Sequence, residues 1–282
     1  MRVRLGAGTG VEWLVAAIAV ADPDWRPVFT DGEQVHDAWL AAGGTALARD
    51  VRWVGRHGWT RLLGPLTRVR GAWSVAALRS EVAALTPAEL QDVLRTRRAA
   101  DRAREVCLAA LDTLPAPATR APALTRIRAR LAEVGPERLL DEVAPGLHYG
   151  PGVLDDVVLV TSPQVAPIVV ELAEESRTVI VHPPLDDSGA TDAGARLREL
   201  GRALGDATRV RVLQELKGRE RTLPELCDAL DAPRTTLLHH LAMLRGAGFI
   251  DLSVTSGEPN VYRLRPEGFE RLAQAASAFP LR

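Results

Sequence analysis

Apolar residues recur at two different periods along this chain, and the change of period marks its last third. Leu197, Leu200 and Leu204 fall on one helical face, and Gly205 closes that helix. Asp206 is placed to cap a second helix, with Val210, Leu213 and Leu216 expected inward. Thr222-Leu-Pro-Glu225 has the form of a capping box and opens a third helix carrying Leu226, Ala229 and Leu230. After the tight turn Asp231-Ala-Pro233, the spacing predicts a helix over Arg234–Arg245, with Leu237, Leu241 and Leu244 on its buried stripe. The period then drops to two. Ile250, Leu252 and Val254 alternate with Asp251 and Ser253, residues 256–260 form a turn, and Val261–Arg265 returns as the second strand of a hairpin. A last helix is expected over about Pro266–Ala276.

The upstream region is mostly helical, with a few strands. Arg2–Leu5 is a short strand and Val11–Ala21 an apolar helix. Thr86-Pro-Ala-Glu89 is a second capping box and opens a helix expected to reach Thr113. Gly135-Pro136 starts another helix. Val157–Thr161 and Thr178–His182 are strands, with a helix expected near Ala166–Glu175 between them. The Pro/Ala stretch Leu114–Pro122 joins two helices, and the polar segment Pro183–Gly194 holds the interdomain linker. The fold class is therefore α+β and mostly helical. Residues 1–185 form an N-terminal sensor or dimerisation domain, 186–194 a linker, and 195–282 a winged helix-turn-helix domain.

Composition narrows the function classes. Net charge is −1, so a nucleic-acid surface has to come from local placement of arginine, since Lys217 is the single lysine. Two distant cysteines, Cys107 and Cys227, make no disulfide framework and fit a reducing cytoplasm. The apolar run Val11–Val20 is interrupted by Glu12 and too short for a bilayer, so a cytoplasmic protein without membrane contact is expected. His36, His57, His148 and His182 are scattered, and no nucleophile-elbow, P-loop or metalloprotease pattern is present. No catalytic residue, cofactor or metal is assigned, and the chain is not read as an enzyme. Gly6-Ala-Gly-Thr-Gly10 follows a strand and precedes a helix, as dinucleotide loops do, but Val11 stands where the third glycine of that fingerprint belongs. Trp53, Trp59 and Trp73 read as core. Arg209 is read equally as a structural ion pair or a phosphate contact.

Helix, short turn, helix and hairpin is the order of a winged helix-turn-helix, in which one helix enters the major groove and the hairpin reaches the backbone beside it. With Leu237, Leu241 and Leu244 buried, the opposite face presents Arg234, Thr235, Leu238, His239 and Ala242, flanked by Thr236 and His240. Arg245 at the helix end and Arg263 on the return strand complete the candidate DNA-binding set.

Ala203–Leu213, Leu223–Leu226 and above all His240-Leu-Ala-Met-Leu-Arg-Gly-Ala-Gly248 resemble the arsenic-repressor (ArsR) family of winged-helix regulators, over about Ala195–Leu272. The resemblance implies a homodimer on double-stranded DNA that represses by occluding a promoter, with the first and last helices of each domain packed across the two-fold axis. The region upstream weakly resembles the uncharacterised N-terminal domain of longer family members, where a small-molecule effector is expected to act. Metal sensing does not carry over, since Cys227 stands alone where metal-sensing members pair cysteines. Glu258 and Pro259 occupy a wing that in the family often carries arginine. Two rivals remain: an enzyme in the N-terminal domain with a regulatory winged helix, and a protein-interaction adaptor.

Overall fold

The computed structural model describes residues 1–95, 100–116, 124–166, 168–174, 177–185 and 193–279. The elements run β1 (Arg2–Gly6), α1 (Thr9–Ala21), α2 (Gly32–Val54), α3 (Arg56–Arg61), α4 (Leu63–Arg68), α5 (Val75–Ala84), α6 (Pro87–Leu94) and α7 (Ala100–Thr113). There follow α8 (Leu124–Val143), β2 (Leu147–Tyr149), β3 (Asp156–Thr161), β4 (Val170–Ala173), β5 (Thr178–His182), α9 (Ala193–Leu204) and α10 (Ala207–Glu215). The chain ends with β6 (Arg221–Thr222), α11 (Leu223–Leu230), α12 (Arg234–Gly246), β7 (Ile250–Val254), β8 (Val261–Leu264) and α13 (Pro266–Ala278). The fold is α+β and mostly helical. No helix among the described residues is long and apolar enough to cross a membrane.

The chain divides into two compact units that are not contiguous in sequence. The first holds Met1–Ala129 and the β3 to β5 region. The second gathers Arg130–Asp155 with the chain from Leu185 onward. Most of the expected linker lies outside the described residues, and its last two positions already belong to α9. The Pro/Ala joint between α7 and α8 lies largely outside them too.

In the first unit, β1, β3 and β5 are parallel and β4 adds an antiparallel edge, in the order β1-β3-β5-β4. Nearly every residue of β3 and β5 is buried, which is why they read as unbroken apolar runs rather than as alternation. Helix α1 is buried from Gly10 to Ala21. Trp13 on it meets Trp39 and Trp59 with ring centroids 5.1 and 5.4 Å apart. Each indole N–H donates to a carbonyl: Trp13 to Leu114 (3.0 Å), Trp39 to Pro115 (3.1 Å) and Trp59 to Val51 (2.9 Å). Buried indoles need such partners. The buried carboxylate of Glu12 accepts from Ser162 Oγ at 2.7 Å and Gln164 Nε2 at 2.5 Å, fastening α1 to the end of β3.

The glycine-rich turn packs against protein rather than against an open cradle. A Cβ at Gly6 would sit 1.8 Å from the Trp73 ring, and one at Gly8 would sit 2.2 Å from the Trp73 carbonyl oxygen. The Gly10 amide donates to that same carbonyl at 2.9 Å. The glycines are there so that the chain at Trp73 can lie on the turn, and the volume a pyrophosphate would use is occupied.

Two helix expectations are corrected in this unit. The capping box at Thr86 forms, with Thr86 N–H donating to Glu89 at 2.8 Å, but the helix stops at Leu94 instead of reaching Thr113. Arg95 turns left-handed (φ 47°), and α6 and α7 pack against each other, which one straight helix cannot do. The segment near Ala166–Glu175 contains the strand β4, not a helix: Pro163 begins a single 3-10 turn, and Val169 and Val170 favour extended backbone. Gly135 (φ 80°) kinks α8, and Pro136 restarts it as expected.

Candidate nucleic-acid interface

The second unit is built on a leucine core. Leu237, Leu241 and Leu244 of α12 pack with Leu226 and Leu230 of α11, Val212 and Leu216 of α10, and Phe249 and Ile250 at the start of β7. The stripe expected on α12 is therefore the buried one. Leu213 and Leu216 turn inward as expected, but the first turn of α10 buries Arg209 in place of Val210. Val210 is 39% exposed, while Arg209, Val212 and Leu213 turn inward. Ala229 of α11 is likewise exposed, and Leu223 takes its place in the core. Cys227 packs partly against that core.

Arg209 accounts for the difference. Its backbone N–H donates to the Asp206 carboxylate at 3.0 Å, the N-cap of α10. Its guanidinium turns back, donating from Nε to the Ala203 carbonyl (2.6 Å) and from Nη2 to that of Arg202 (2.8 Å). These are carbonyls in the last turn of α9, where a cation is favoured. Of its two readings the structural one holds, since the guanidinium is engaged within the protein.

The capping box at Thr222 fixes the start of α11. Thr222 N–H donates to Glu225 Oε2 at 2.7 Å, and Glu225 N–H returns to Thr222 Oγ1 at 3.5 Å. Asp231 turns left-handed (φ 48°) to end the helix, and Pro233 stands immediately before α12. A three-residue joint, Asp231–Pro233, thus sets α12 across α11 on the shared leucines. The face of α12 turned from the core carries Arg234 and Thr235, exposed, and Leu238, His239 and Ala242, half-buried. Leu238 also leans partly on the core. No carboxylate occurs anywhere on α12.

The remaining candidates lie elsewhere. Thr236 is half-buried at the side of that face. His240 stands about 100° further round the helix than His239 and is 9% exposed. Its Nδ1 lies 3.4 Å from Arg209 Nη1 and 3.6 Å from Asp206 Oδ1, so it does not share the outer face. Burial pushes its pKa below the usual histidine value, with Arg209 acting the same way and Asp206 against. Arg245 is half-buried and donates to the Val169 carbonyl at 3.5 Å.

The wing is a four-stranded sheet, β2-β7-β8-β6. Strands β7 and β8 form the expected hairpin, with Asp251 opposite Arg263 and Leu252 opposite Tyr262. Arg263 is 53% exposed, but Glu220 (3.8 Å) and Asp251 (3.5 Å) flank its guanidinium. Asp251 is buried among His148 (3.4 Å), Arg263 and Arg265 (3.7 Å). Two carboxylates thus stand beside the Arg263 guanidinium. Strand β2 adds to the far side of β7 in parallel, pairing Leu147 with Leu252. A β-forming triplet between Gly146 and Gly150 is the trace it leaves in the sequence.

A family model described as a helix-turn-helix domain matches residues 204–253. The chain matches none of the curated proteins with which it was compared. The matched helix-turn-helix stretch takes in α10 through most of β7, and the two helices joined at Asp231–Pro233 lie at its centre. The N-terminal unit lies outside the match. Among the described residues, no group of three or more His, Cys, Asp or Glu side chains is placed to hold a metal ion.

Proposed function

We propose that the second unit binds duplex DNA in a sequence-specific manner through α12, and that the protein is a transcriptional regulator rather than an enzyme. One observation carries this reading. The outer face of α12 combines exposed Arg234 and Thr235 with half-buried Leu238, His239 and Ala242, on a helix without carboxylates that the leucine core holds across α11. Such a face has the dimensions of a major-groove reader. Arginine pairs with guanine, threonine donates to bases or phosphates, and an apolar side chain meets a thymine methyl. With His240 turned inward and Arg245 and Arg263 engaged within the protein, base reading falls on Arg234, Thr235, Leu238 and His239, with Thr236 beside them.

The protein acts as a homodimeric repressor, each α12 entering one of two major grooves roughly 34–36 Å apart. The likeness to arsenic-repressor regulators supports this, as do Phe269 and Phe279, which α13 and its end leave 40% and 41% exposed. The N-terminal unit receives an effector.

The test is fluorescence anisotropy of the full chain on duplexes tiling the DNA beside its own gene, at two salt concentrations. Saturable, salt-sensitive binding to one tile, lost in the double variant Arg234→Ala/Thr235→Ala, is the expected result. Binding no tighter than to random duplex would overturn it and leave α12 as a protein-docking face.

A further inference from the structure

The N-terminal unit contains a cavity of about 300 Å³ lined by Arg61, Arg68, Arg95, Asp92, Glu174 and an apolar wall that includes Pro65, Val93 and Leu172. Each arginine stands at a helix end: Arg61 closes α3, Arg68 closes α4 and Arg95 follows α6. Helix carbonyl ends attract cations, so the placement alone could be structural. The partners decide against that. Glu174 is already held, accepting from Arg68 at 3.0 Å and from Arg177 Nε at 2.6 Å. Arg61 and Arg95 make no ion pair or side-chain hydrogen bond among the described residues, and neither caps a carbonyl.

Half-buried Arg61 and exposed Arg95 line the same cavity. Burial disfavours the charge on Arg61, Arg95 disfavours it further, and Glu174 only partly offsets this. An arginine does not lose its proton at physiological pH, so the three guanidinium groups outnumber the carboxylates of Asp92 and Glu174 and leave the lining net positive. The backbone adds a second sign. Arg95 is left-handed, with φ 47° and ψ 45°, at a helix end where glycine is the usual occupant. The long side chain at this strained position sets a guanidinium on the cavity where the usual glycine would set nothing.

We propose that this cavity binds a small organic anion. Its carboxylate or phosphate head lies between Arg61 and Arg95, and its apolar body rests on Pro65, Val93 and Leu172. Planar guanidinium groups suit both heads. The apolar wall and the volume call for an organic body rather than a bare ion. The site lies within one unit and stands whether or not α12 reads DNA.

Isothermal titration of the full chain with naphthalene-1-carboxylate, 1-naphthyl phosphate and inorganic phosphate tests this. At least one naphthyl anion is expected to bind saturably, and the tighter of the two identifies the head group. Arg61→Ala and Arg95→Gly should each weaken that binding tenfold or more. Arg95→Gly carries the argument, because glycine accepts the left-handed backbone. Its melting temperature should hold or rise while binding is lost. No binding by either naphthyl anion, equal binding in both variants, or inorganic phosphate binding as tightly as the naphthyl compounds would each overturn the proposal.

Discussion

Arg209 Nη1 lies 3.4 Å from His240 Nδ1, so an always-charged donor in α10 faces a ring nitrogen of α12. In that hydrogen bond the nitrogen accepts, while Asp206 Oδ1, 3.6 Å from the same nitrogen, favours the charged ring. The pair joins α10 to α12 beside the leucine core.

Stability should fall in mild acid. Burial lowers His240, and it lowers His182 to about 4. A histidine whose folded value is depressed contributes stability above its unfolded value of about 6.5 and loses it as pH falls through that value towards the folded one. For His182 the full loss, reached near pH 4, is on the order of 3 kcal/mol. Urea denaturation at pH 7.5, 6.0 and 5.0 should show the midpoint falling, with a flatter profile in His182→Gln and His240→Gln. An unchanged profile in both variants would exclude these rings as the source.

Of the three arginines proposed from sequence as DNA contacts, Arg234 and Arg263 should behave differently. Arg234→Ala should weaken specific DNA binding by about 1–3 kcal/mol. Arg263→Ala should leave the salt dependence of binding nearly unchanged, because Glu220 and Asp251 already engage its charge. It should instead lower thermal stability by leaving Asp251 with less compensation. A shallower salt slope in Arg263→Ala would return that residue to the phosphate-contacting set.

Gly8→Ala should destabilise the first unit by several kcal/mol, since its Cβ meets a backbone carbonyl rather than a side chain that can swing away. Circular dichroism melts check this. A melt matching the wild type would mean that the turn can open, and with it the case against a phosphate cradle.

Thr222→Ala should cost about 1 kcal/mol by removing the cap of α11. Thr222→Ser should restore most of it. Chemical denaturation at neutral pH gives both values.

Local chemistry makes part of this structure legible from sequence. Both capping boxes form as read, because Thr86 with Glu89 and Thr222 with Glu225 bond within one helical turn. Leu237, Leu241 and Leu244 are buried because helical spacing alone puts them together. What escapes the sequence depends on distant partners. Val210 reads as core until Arg209 is seen reaching back to α9. Glycines at 6, 8 and 10 read as a cradle until Trp73 is seen filling it. His240 and Arg263 read as polar candidates for the same surface, and only the structure shows the Arg209 guanidinium and Asp206 carboxylate at His240 and the Glu220 and Asp251 carboxylates beside Arg263.

The parallel pairing of Leu147–Tyr149 with β7 bears on the order in which the chain acquires its structure. On the ribosome the triplet emerges long before the hairpin it joins, and it must wait with its backbone groups unpaired. Closing so long a loop for three residues is slow and entropically costly, so the sheet is completed late. A fragment begun at Ala195 would lack the triplet and leave one side of β7 open to other chains. The wing's last strand is supplied by sequence that no DNA-binding motif would include.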